Sequence, residues 1–491
     1  MKTLTFRLAL TLSAPQCSSS DVEFGDGLDA GMAKALVDFK LGRFQQSQRR
    51  YYTLLEDYGF DKLSELVDQE HRINQSTAPL LIFELLFKLS NNENLPAQDI
   101  WKYLGTISWF DPDDIICQGA IYNVLVVFLF RHTDLSAAEE IAALALQAYQ
   151  QCESPYLEGF IHLHLAFIRI YSGQLTEADA CLNGARECFE ICPDALCESA
   201  MVEITRLFLL MEQTGEHPSR ETLGALKSDL IGGGFWPETI LVFANLQFRV
   251  ERTSSLEEAA RLHSALEAIL RARGMTQVLP AMQLIREEHI LSGHAAISKG
   301  RANALALSER QLLLLSPRLI SLDLNWGSDW DSVSLQLPRV RVLQEFAHGK
   351  SSLKGRRFDL AAEHYFLALS LVAEHGWRYL IESVREDVER FLLECRTRKR
   401  FVEKAVSYQN TLLASNSPGR LSFDRPSELT ATEFGVLMRL ATSTSNKALG
   451  REIGVTERTI KFHLSNIYRK IGASCRSEAI EIALAKGWIN P

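Results

Sequence analysis

The run LTATEFGVLMRLATSTSNKALGREIGVTERTIKFHLSNIYRKI, from Leu429 to Ile471, decides how the end of this chain folds. Thr430 and Glu433 have the spacing of a capping box, which predicts that a helix begins there. Gly454 predicts a tight turn after a short second helix, and Thr456 predicts the N-cap of a third helix. Three short helices joined in this way are typical of a helix-turn-helix.

The third predicted helix has two different faces. Helical spacing places four aliphatic side chains on one side, where we expect core: Ile460, Leu464, Ile467 and Ile471. The other side carries a basic and mixed set: Arg458, Lys461, Phe462, Ser465 and Arg469. Such a face fits a major groove, because it brings hydrogen-bonding groups to base edges and positive charge to phosphates. The alternative is an ordinary surface helix with a few cations.

In order and spacing, the run resembles the LuxR-type helix-turn-helix family of bacterial transcription regulators. The resemblance covers roughly Glu428 to Trp488. The matching pieces are Leu429-Thr430, Val436-Leu437, Ser445-Asn446-Lys447, Val455-Thr456, Thr459-Ile460-Lys461 with His463, Asn466-Ile467-Tyr468-Arg469-Lys470 and Arg476-Ser477-Glu478-Ala479.

The resemblance implies a role for individual residues on double-stranded DNA. Asn446 and Lys447 would contact phosphates. At the start of the recognition helix, the DNA backbone would be contacted by Thr456, Thr459 and Lys461. The side chains implied to face base edges are Lys461, Phe462 and Ser465. A fourth helix would pair two such domains into a homodimer on DNA through Ala479, Ile482 and Ala483. RNA polymerase is the further partner that the resemblance implies.

The run also departs from the family pattern. Thr432 stands where the family usually has Arg, and Gly435 where it usually has a second Glu. We therefore expect that an ion pair between the first helix and its neighbours is lost.

Length and charge predict a chain of two parts. With 491 residues the chain is too long for one core. Its formal charge is -9, but the part from Pro426 onward holds nine Lys and Arg against six Asp and Glu, which leaves -12 for the part before Pro426. An acidic body joined to a basic end fits a sensor tethered to a DNA reader.

The body, Asp29 to Ala414, shows helical periodicity and a loose repeat of small and large residues. The repeat fits Gly42-Ser47-Tyr51-Leu54, Gly173-Ala178-Leu182-Ala185, Ala138-Ala142-Ala145 and Ala361-Tyr365-Ala368. It resembles the second helix of a tetratricopeptide repeat, although Ala138 and Ala178 are farther apart than the regular period of about 34 residues. The alternative is a helical domain without repeats.

Other segments leave two interpretations open. We expect residues 1–28 to be a poorly ordered N-terminus. Long loops are expected at Gly232–Pro237 and Asn325–Asp331, and their tryptophans either anchor the loop or line a ligand site. Leu319–Leu324 and Ser332–Leu337 are a candidate hairpin. The helical face of Cys181, Cys188 and Cys192 is either a set of small buried side chains or a redox or metal site.

No catalytic motif is present in the sequence, so we expect a regulator and not an enzyme, with no cofactor and no metal. The predicted fold is all-α: a tetratricopeptide-like α-solenoid over 29–414, a linker over 415–427 and a small four-helix LuxR-type domain over 428–491. The predicted function is a cytoplasmic, sequence-specific DNA-binding transcriptional regulator whose body receives a small-molecule or protein effector. No membrane partner is expected, since no apolar window reaches bilayer length. The alternative is a helical scaffold or adaptor with a degenerate DNA-binding module.

Overall fold

The structure, a computed structural model, describes most of the chain. The described residues are 2–19, 22–59, 77–90, 95–132, 134–234, 236–252, 255–290, 338–410, Glu433, Val436, Leu437, Leu440, Ser445, Asn446, Leu449, 457–473 and 475–485. The chain divides into two compact units, Met1–Leu412 and Leu413–Pro491. Their described residues are almost entirely helical, which confirms the predicted all-α class. Within these ranges, no helix combines the length and the apolar character that a bilayer crossing needs.

Unit 1 begins with two short strands separated by two short helices, and its further described elements are helices. The elements are β1 (Lys2–Leu4), α1 (Phe6–Thr11), α2 (Ala14–Cys17), β2 (Val22–Phe24), α3 (Gly27–Lys40), α4 (Phe44–Asp57), α5 (Ala78–Ser90), α6 (Ala97–Gly105), α7 (Ile115–Arg131), α8 (Leu135–Gln151), α9 (Pro155–Ser172), α10 (Leu175–Ile191), α11 (Leu196–Thr214), α12 (Arg220–Gly232), α13 (Pro237–Arg252), α14 (Leu256–Ala272), α15 (Leu279–Ile290), α16 (Pro338–Lys354), α17 (Phe358–His375), α18 (Arg378–Thr397) and α19 (Val402–Tyr408). In unit 2 they are α20 (Glu457–Ile471) and α21 (Arg476–Ala485). Strands β1 and β2 pair in parallel.

Neighbouring helices of unit 1 pack as hairpins, most extensively α7 with α8, α9 with α10, and α16 with α17. Gly173 closes α9 with a φ of 78°, a left-handed conformation that glycine adopts at little cost. Apart from Gly42 and Gly173, which lie in the turns between helices, the predicted repeat residues lie on the second helix of each hairpin, where Ala138 and Ala178 are fully buried. The repeat pattern therefore marks second helices, and Ala178 of α10 is the counterpart of Ala138 of α8 in the next hairpin.

In two of these hairpins, a glycine on the first helix allows the second helix to approach closely. A Cβ atom on Gly119 of α7 would lie 2.6 Å from the ring of Tyr149 on α8. A Cβ atom on Gly159 of α9 would lie 2.7 Å from the ring of Phe189 on α10. In both hairpins a glycine of the first helix therefore makes room for an aromatic ring of the second helix, at equivalent positions of the two repeats.

Two buried ion pairs connect hairpins that are distant in sequence. Arg131 Nε on α7 donates to Glu238 Oε1 on α13 at 2.7 Å. Arg339 Nη2 on α16 donates to Glu212 Oε1 on α11 at 2.8 Å, and both of these side chains are fully buried. Because a buried charge without its partner is costly, each pair fixes the relative position of its two helices.

The N-terminus is folded, so the expectation of a poorly ordered segment is wrong for residues 2–19 and 22–28. Phe6 and Ala9 of α1 are fully buried, and α1 packs against α3. Arg7 Nη2 lies 2.5 Å from Asp114 Oδ2, so a charged contact also fastens α1 to the start of α7. The helix is short, and it is ordered by this docking and not by its own helical propensity.

The connection Gly232–Pro237 is short, not a long loop. Helix α12 ends at Gly232 and α13 begins at Pro237. The amide of Gly234 donates to the carbonyl of Lys40 at 2.7 Å, which holds the connection against α3. Trp236 is 9% exposed, so it anchors the connection. The predicted loop 325–331, the candidate hairpin and the linker 415–427 lie outside the described residues.

The cysteines of α10 lie among helix contacts. Cys181 and Cys188 on α10 and Cys192 just after it are half-buried. Burial raises the pKa of all three thiols, that of Cys188 to about 11. The protonated thiol is a poor nucleophile and a poor metal ligand, which favours the interpretation of these residues as packing side chains.

Candidate functional site

The predicted recognition helix is α20. Its aliphatic face is buried as expected: Ile460 and Ile467 are fully buried and Leu464 is 4% exposed. They form one core with side chains from the rest of unit 2, namely Val436, Leu437, Leu440, Leu449, Ala479 and Ala483. Ile471 packs against the same core while partly exposed. The helix is therefore oriented by apolar burial, and that burial decides which residues are left to face outward.

The outward face of α20 carries polar and cationic groups. Lys461, Ser465 and Arg469 are exposed at intervals of four residues, so they share one side of the helix. Nη2 of Arg469 donates to Asn466 Oδ1 at 3.3 Å, which keeps the guanidinium close to the helix surface. The backbones of Arg458, Thr459 and Phe462 lie in the same helix, but their side chains are outside what the structure describes. Lys447 and Thr456 also lie outside the described residues.

Asn446, a predicted phosphate contact at the start of the predicted second helix of unit 2, is half-buried. Its Oδ1 accepts a hydrogen bond from Arg476 Nη1 at 3.3 Å. Arg476 also donates from Nη2 to the carbonyl of Leu440 at 2.6 Å. The sequence motif included Arg476 but did not indicate this function, which is to tie the first and second helices to α21.

An ion pair joins the first helix of unit 2 to the recognition helix, contrary to the expected loss. Lys470 Nζ lies 2.6 Å from Glu433 Oε2, and the carboxylate is nearly buried. Glu433 was predicted only as part of the capping box. The departures at Thr432 and Gly435 therefore leave a charged contact between these helices in place.

The three predicted pairing residues of α21 do not share one environment. Ala479 and Ala483 are fully buried in the core of their own domain, so neither presents a surface to a second copy. Ile482 is half-buried and packs against that core. This corrects the predicted roles of Ala479 and Ala483, which are core residues here. The periodicity of α21 predicted an apolar face but not whether that face turned inward or toward a partner.

The sequence profile described as "Bacterial regulatory proteins, luxR family" matches residues 427–483. The C-terminal domain is a LuxR-family domain. The matched residues include α20, with its buried aliphatic face, and the core residues that pack against it. The match confirms the family resemblance predicted from the sequence.

The matches to curated relatives cover very different shares of this chain. The transcriptional regulatory protein YdfI of Bacillus subtilis (strain 168) is 45% identical over 60 residues, which are 12% of this chain and 28% of that protein. The HTH-type transcriptional regulator AlkS of Pseudomonas putida is 22% identical over 486 residues, which cover 91% of this chain and 52% of that protein. The nitrate/nitrite response regulator protein homolog of Haemophilus influenzae is 28% identical over 168 residues, covering 32% of this chain and 79% of that protein.

This chain therefore spans about half of the length of AlkS and about a quarter of the length of YdfI. The similarity to YdfI is about as long as the LuxR-family domain, whereas the similarity to AlkS extends into unit 1. No solved structure matches the chain significantly.

Unit 1 contains a cavity of about 60 Å³ between α1, α3, α5 and the α7–α9 helices. Aromatic rings dominate its walls: Phe39, Tyr149, Tyr156, Phe160 and Trp236. Trp236 also lines a second, smaller cavity, so the residue that anchors the α12–α13 connection lines two internal spaces as well. The burial of Trp236 favours its interpretation as an anchor of the connection, and its place in a ligand site stays a prediction.

Polar groups of the cavity wall lack partners. Asn123 Oδ1 and Trp236 Nε1 are buried and make no hydrogen bond within the described part of the chain. Lys40 is different, because its ammonium donates to the carbonyls of Ala9, Leu10 and Leu12 at 2.8, 3.1 and 2.5 Å. All three of its ammonium protons are thus used within the protein.

The environment of Lys40 also disfavours its charged form. Burial lowers the pKa of Lys40 to about 8. The Tyr156 ring, whose centroid lies 4.3 Å from the nitrogen, acts in the opposite direction because its face attracts a cation. Sequence reasoning missed this site, because its walls come from segments that are far apart in the chain.

Proposed function

We propose that the chain is a DNA-binding transcriptional regulator, in which unit 2 reads a DNA sequence and unit 1 receives a signal. The observation that supports this most directly is the LuxR-family domain, whose α20 buries Ile460 and Ile467 and presents Lys461, Ser465 and Arg469 on the opposite side. Such a helix fits the major groove with its exposed face toward the bases. The names of the relatives indicate regulators and not enzymes.

The proposed contacts follow the chemistry of each residue. Lys461 and Ser465 face base edges together with Phe462, and the cations Arg458 and Arg469 lie near phosphates. Asn446, Lys447, Thr456 and Thr459 contact the phosphate backbone, Asn446 from a position held by Arg476. Lys and Arg supply the charge, while hydroxyl and amide groups fix the register of the helix on the duplex.

We propose that the chain binds DNA as a homodimer in the cytoplasm and acts on RNA polymerase there. One small domain contacts few phosphates, and pairing makes the second contact intramolecular, which raises the overall affinity. Of the three predicted pairing residues of α21, Ile482 remains available for such pairing, since Ala479 and Ala483 pack in the core of their own domain.

The signal proposed for unit 1 is a small uncharged molecule that carries a hydroxyl group. The cavity walls are mainly aromatic, Trp236 Nε1 offers a donor, and Asn123 Oδ1 offers an acceptor. The donors of Lys40 are already used, which disfavours recognition of a carboxylate. A volume of about 60 Å³ is less than half of the about 150 Å³ that accommodates benzene in a protein core, so the ligand has only a few carbon atoms.

The DNA-binding part is tested by selection from a random DNA library with the purified full chain. The expected result is one enriched sequence with two half-sites at fixed spacing. The control is a chain that ends at Asn410, which should enrich nothing. If the full chain shows no sequence preference, or if the shortened chain enriches the same sequence, the proposed function is wrong and a scaffold becomes the better interpretation.

The signal part is tested by saturation-transfer NMR of the full chain with 1-propanol, and with propionate as the charged analogue. The alcohol should give a signal that Ala120→Leu removes, since Ala120 lines the cavity and is 4% exposed. The variant should keep the unfolding temperature of the parent. Equal signals from parent and variant would exclude this cavity and favour a protein effector.

A further inference from the structure

Two turns near the C-terminal end of unit 1 carry an unusual density of positive charge. One joins α16 to α17, and the other joins α18 to α19. Together with the adjacent helix ends they hold eight exposed cations: Lys354, Arg356, Arg357, Arg396, Arg398, Lys399, Arg400 and Lys404. The acidic residues of the same segments are Asp359, Glu394 and Glu403, which leaves a net charge of +5. We call these eight cations the basic surface.

The two turns are neighbours in space, although α17 and α18 lie between them in sequence. The guanidinium of Arg398 lies 4.6 Å from the ring centroid of Phe358, at the start of α17. Arg400 Nη2 lies 2.7 Å from Asp359 Oδ1. The ring centroids of Phe358 and Phe401 are 6.4 Å apart. Contacts from one turn to the other therefore make the cations one continuous surface.

Within the described part of the chain, carboxylates neutralise only some cations of the basic surface. Arg398 pairs with Glu394 at 3.3 Å, and Arg400 pairs with Asp359. In the described part of the chain, the other ion pairs do not include Arg356, Arg357, Lys399 or Lys404. No carboxylate among the described residues pairs with these four exposed cations, so they can meet an external anion.

The backbone conformation of the two turns is a second, independent observation. Arg356 and Lys399 both have positive φ values, 59° and 53°. This left-handed region favours glycine, and a side chain there costs about 1 kcal/mol. At both turns the position that best suits glycine is occupied by a cation without a carboxylate partner.

We propose that the basic surface binds the phosphate backbone of DNA beside the sequence that unit 2 reads. This inference rests on the proposed function. The part of the chain before Pro426 carries a net charge of -12, so most of unit 1 repels DNA. The basic surface has the opposite charge, and it lies near the C-terminal end of unit 1, close in sequence to the DNA-binding unit.

The chemistry of the surface favours phosphates of a duplex over other polyanions. Five of its eight cations are arginines, whose planar fork suits phosphate oxygens. A duplex presents one negative charge per about 1.7 Å of its axis, so a surface with several exposed cations can contact more than one phosphate. The LuxR-family domain of the same chain keeps DNA, and not a membrane, at high local concentration.

The test compares two triple variants of the full chain on the DNA sequence that the full chain itself selects. The first variant, Arg356→Gln/Arg357→Gln/Lys399→Gln, removes cations of the basic surface that have no carboxylate partner. The matched control, Arg49→Gln/Arg271→Gln/Arg341→Gln, removes three exposed cations from elsewhere in unit 1 and changes the net charge equally. Both variants should unfold at the temperature of the parent, because neither loses an ion pair that the structure shows.

The readout is the slope of log affinity against log salt concentration. Each lost phosphate contact lowers the magnitude of that slope by about 0.9, so the first variant should lose about 1 to 3 in slope. Its sequence preference should not change, and the control should keep the slope of the parent. If parent, control and first variant have the same slope while all bind the selected sequence, the inference is wrong and the proposed function stands.

Two other outcomes also decide the question. A parent that selects no DNA sequence refutes the proposed function and this inference with it. A parent that binds phosphatidylglycerol vesicles through these three residues, with unchanged DNA affinity in the first variant, assigns the surface to a membrane and overturns the inference.

Discussion

Lys461 is exposed on α20, on the side opposite the buried Ile460 and Leu464. Replacing it by Ala should weaken binding to the selected DNA sequence by about 1–3 kcal/mol, because a base or phosphate contact is lost. Ser465→Ala should instead change which base is preferred, with a smaller loss of overall affinity. Competition gel shifts with singly substituted sites measure both effects. Unchanged preference and affinity in both variants would remove α20 from the recognition surface.

His164 makes stability depend on pH. It is buried on α9, and burial lowers its pKa from 6.5 to about 3. The unfolded chain therefore binds a proton between about pH 6.5 and pH 3 that the folded chain does not bind, so stability falls as the pH falls through this window. The loss is about 1.4 kcal/mol per pH unit for this residue. His164→Phe should reduce the loss of unfolding free energy between pH 7 and pH 5, measured by urea unfolding. An equal loss in parent and variant would show that His164 is protonated in the folded protein.

At the scale of the element, the α7–α8 and α9–α10 hairpins depend on glycine facing an aromatic ring. Gly119→Ala and Gly159→Ala place a Cβ atom 2.6 and 2.7 Å from Tyr149 and Phe189. Each should destabilise unit 1 by about 1–3 kcal/mol, because the ring has to move in a packed core. Gly224, in α12, is the matched control, since a Cβ atom there meets nothing within 4 Å. Gly224→Ala should stabilise by about 0.5–1 kcal/mol. Thermal unfolding of the three variants separates the cases, and a common sign would contradict the packing argument.

At the scale of the whole molecule, the buried pair of Glu212 and Arg339 joins α16 to α11 across 127 residues of sequence. Glu212→Gln leaves the Arg339 charge buried without its partner and should cost about 3–5 kcal/mol. The double variant Glu212→Leu/Arg339→Met removes both charges and should recover most of that loss. Urea unfolding of the full chain measures the three free energies. A double variant as unstable as the single one would mean that the pair stabilises the fold through its own attraction.

The sequence by itself determined the features that local periodicity and spacing encode. The aliphatic side of α20 follows from the helical repeat, and the burial of Ile460, Leu464 and Ile467 confirms it. The equivalence of Ala138 and Ala178 in two hairpins and the LuxR-family domain were predictable for the same reason, since each depends on residues close together in the chain.

Only the tertiary structure decided features that depend on which segments become neighbours. The sequence predicted that Ala479 and Ala483 lie on an apolar face, but the packing of α21 decided that this face belongs to its own core. The docked N-terminus, the cavity and the basic surface each combine segments that are far apart in sequence. No local sequence pattern predicts these contacts, because a buried ion pair or a cavity wall combines residues of segments that become neighbours only in the folded chain. The local pattern fixes the shape and polarity of each helix, and packing decides what each face contacts.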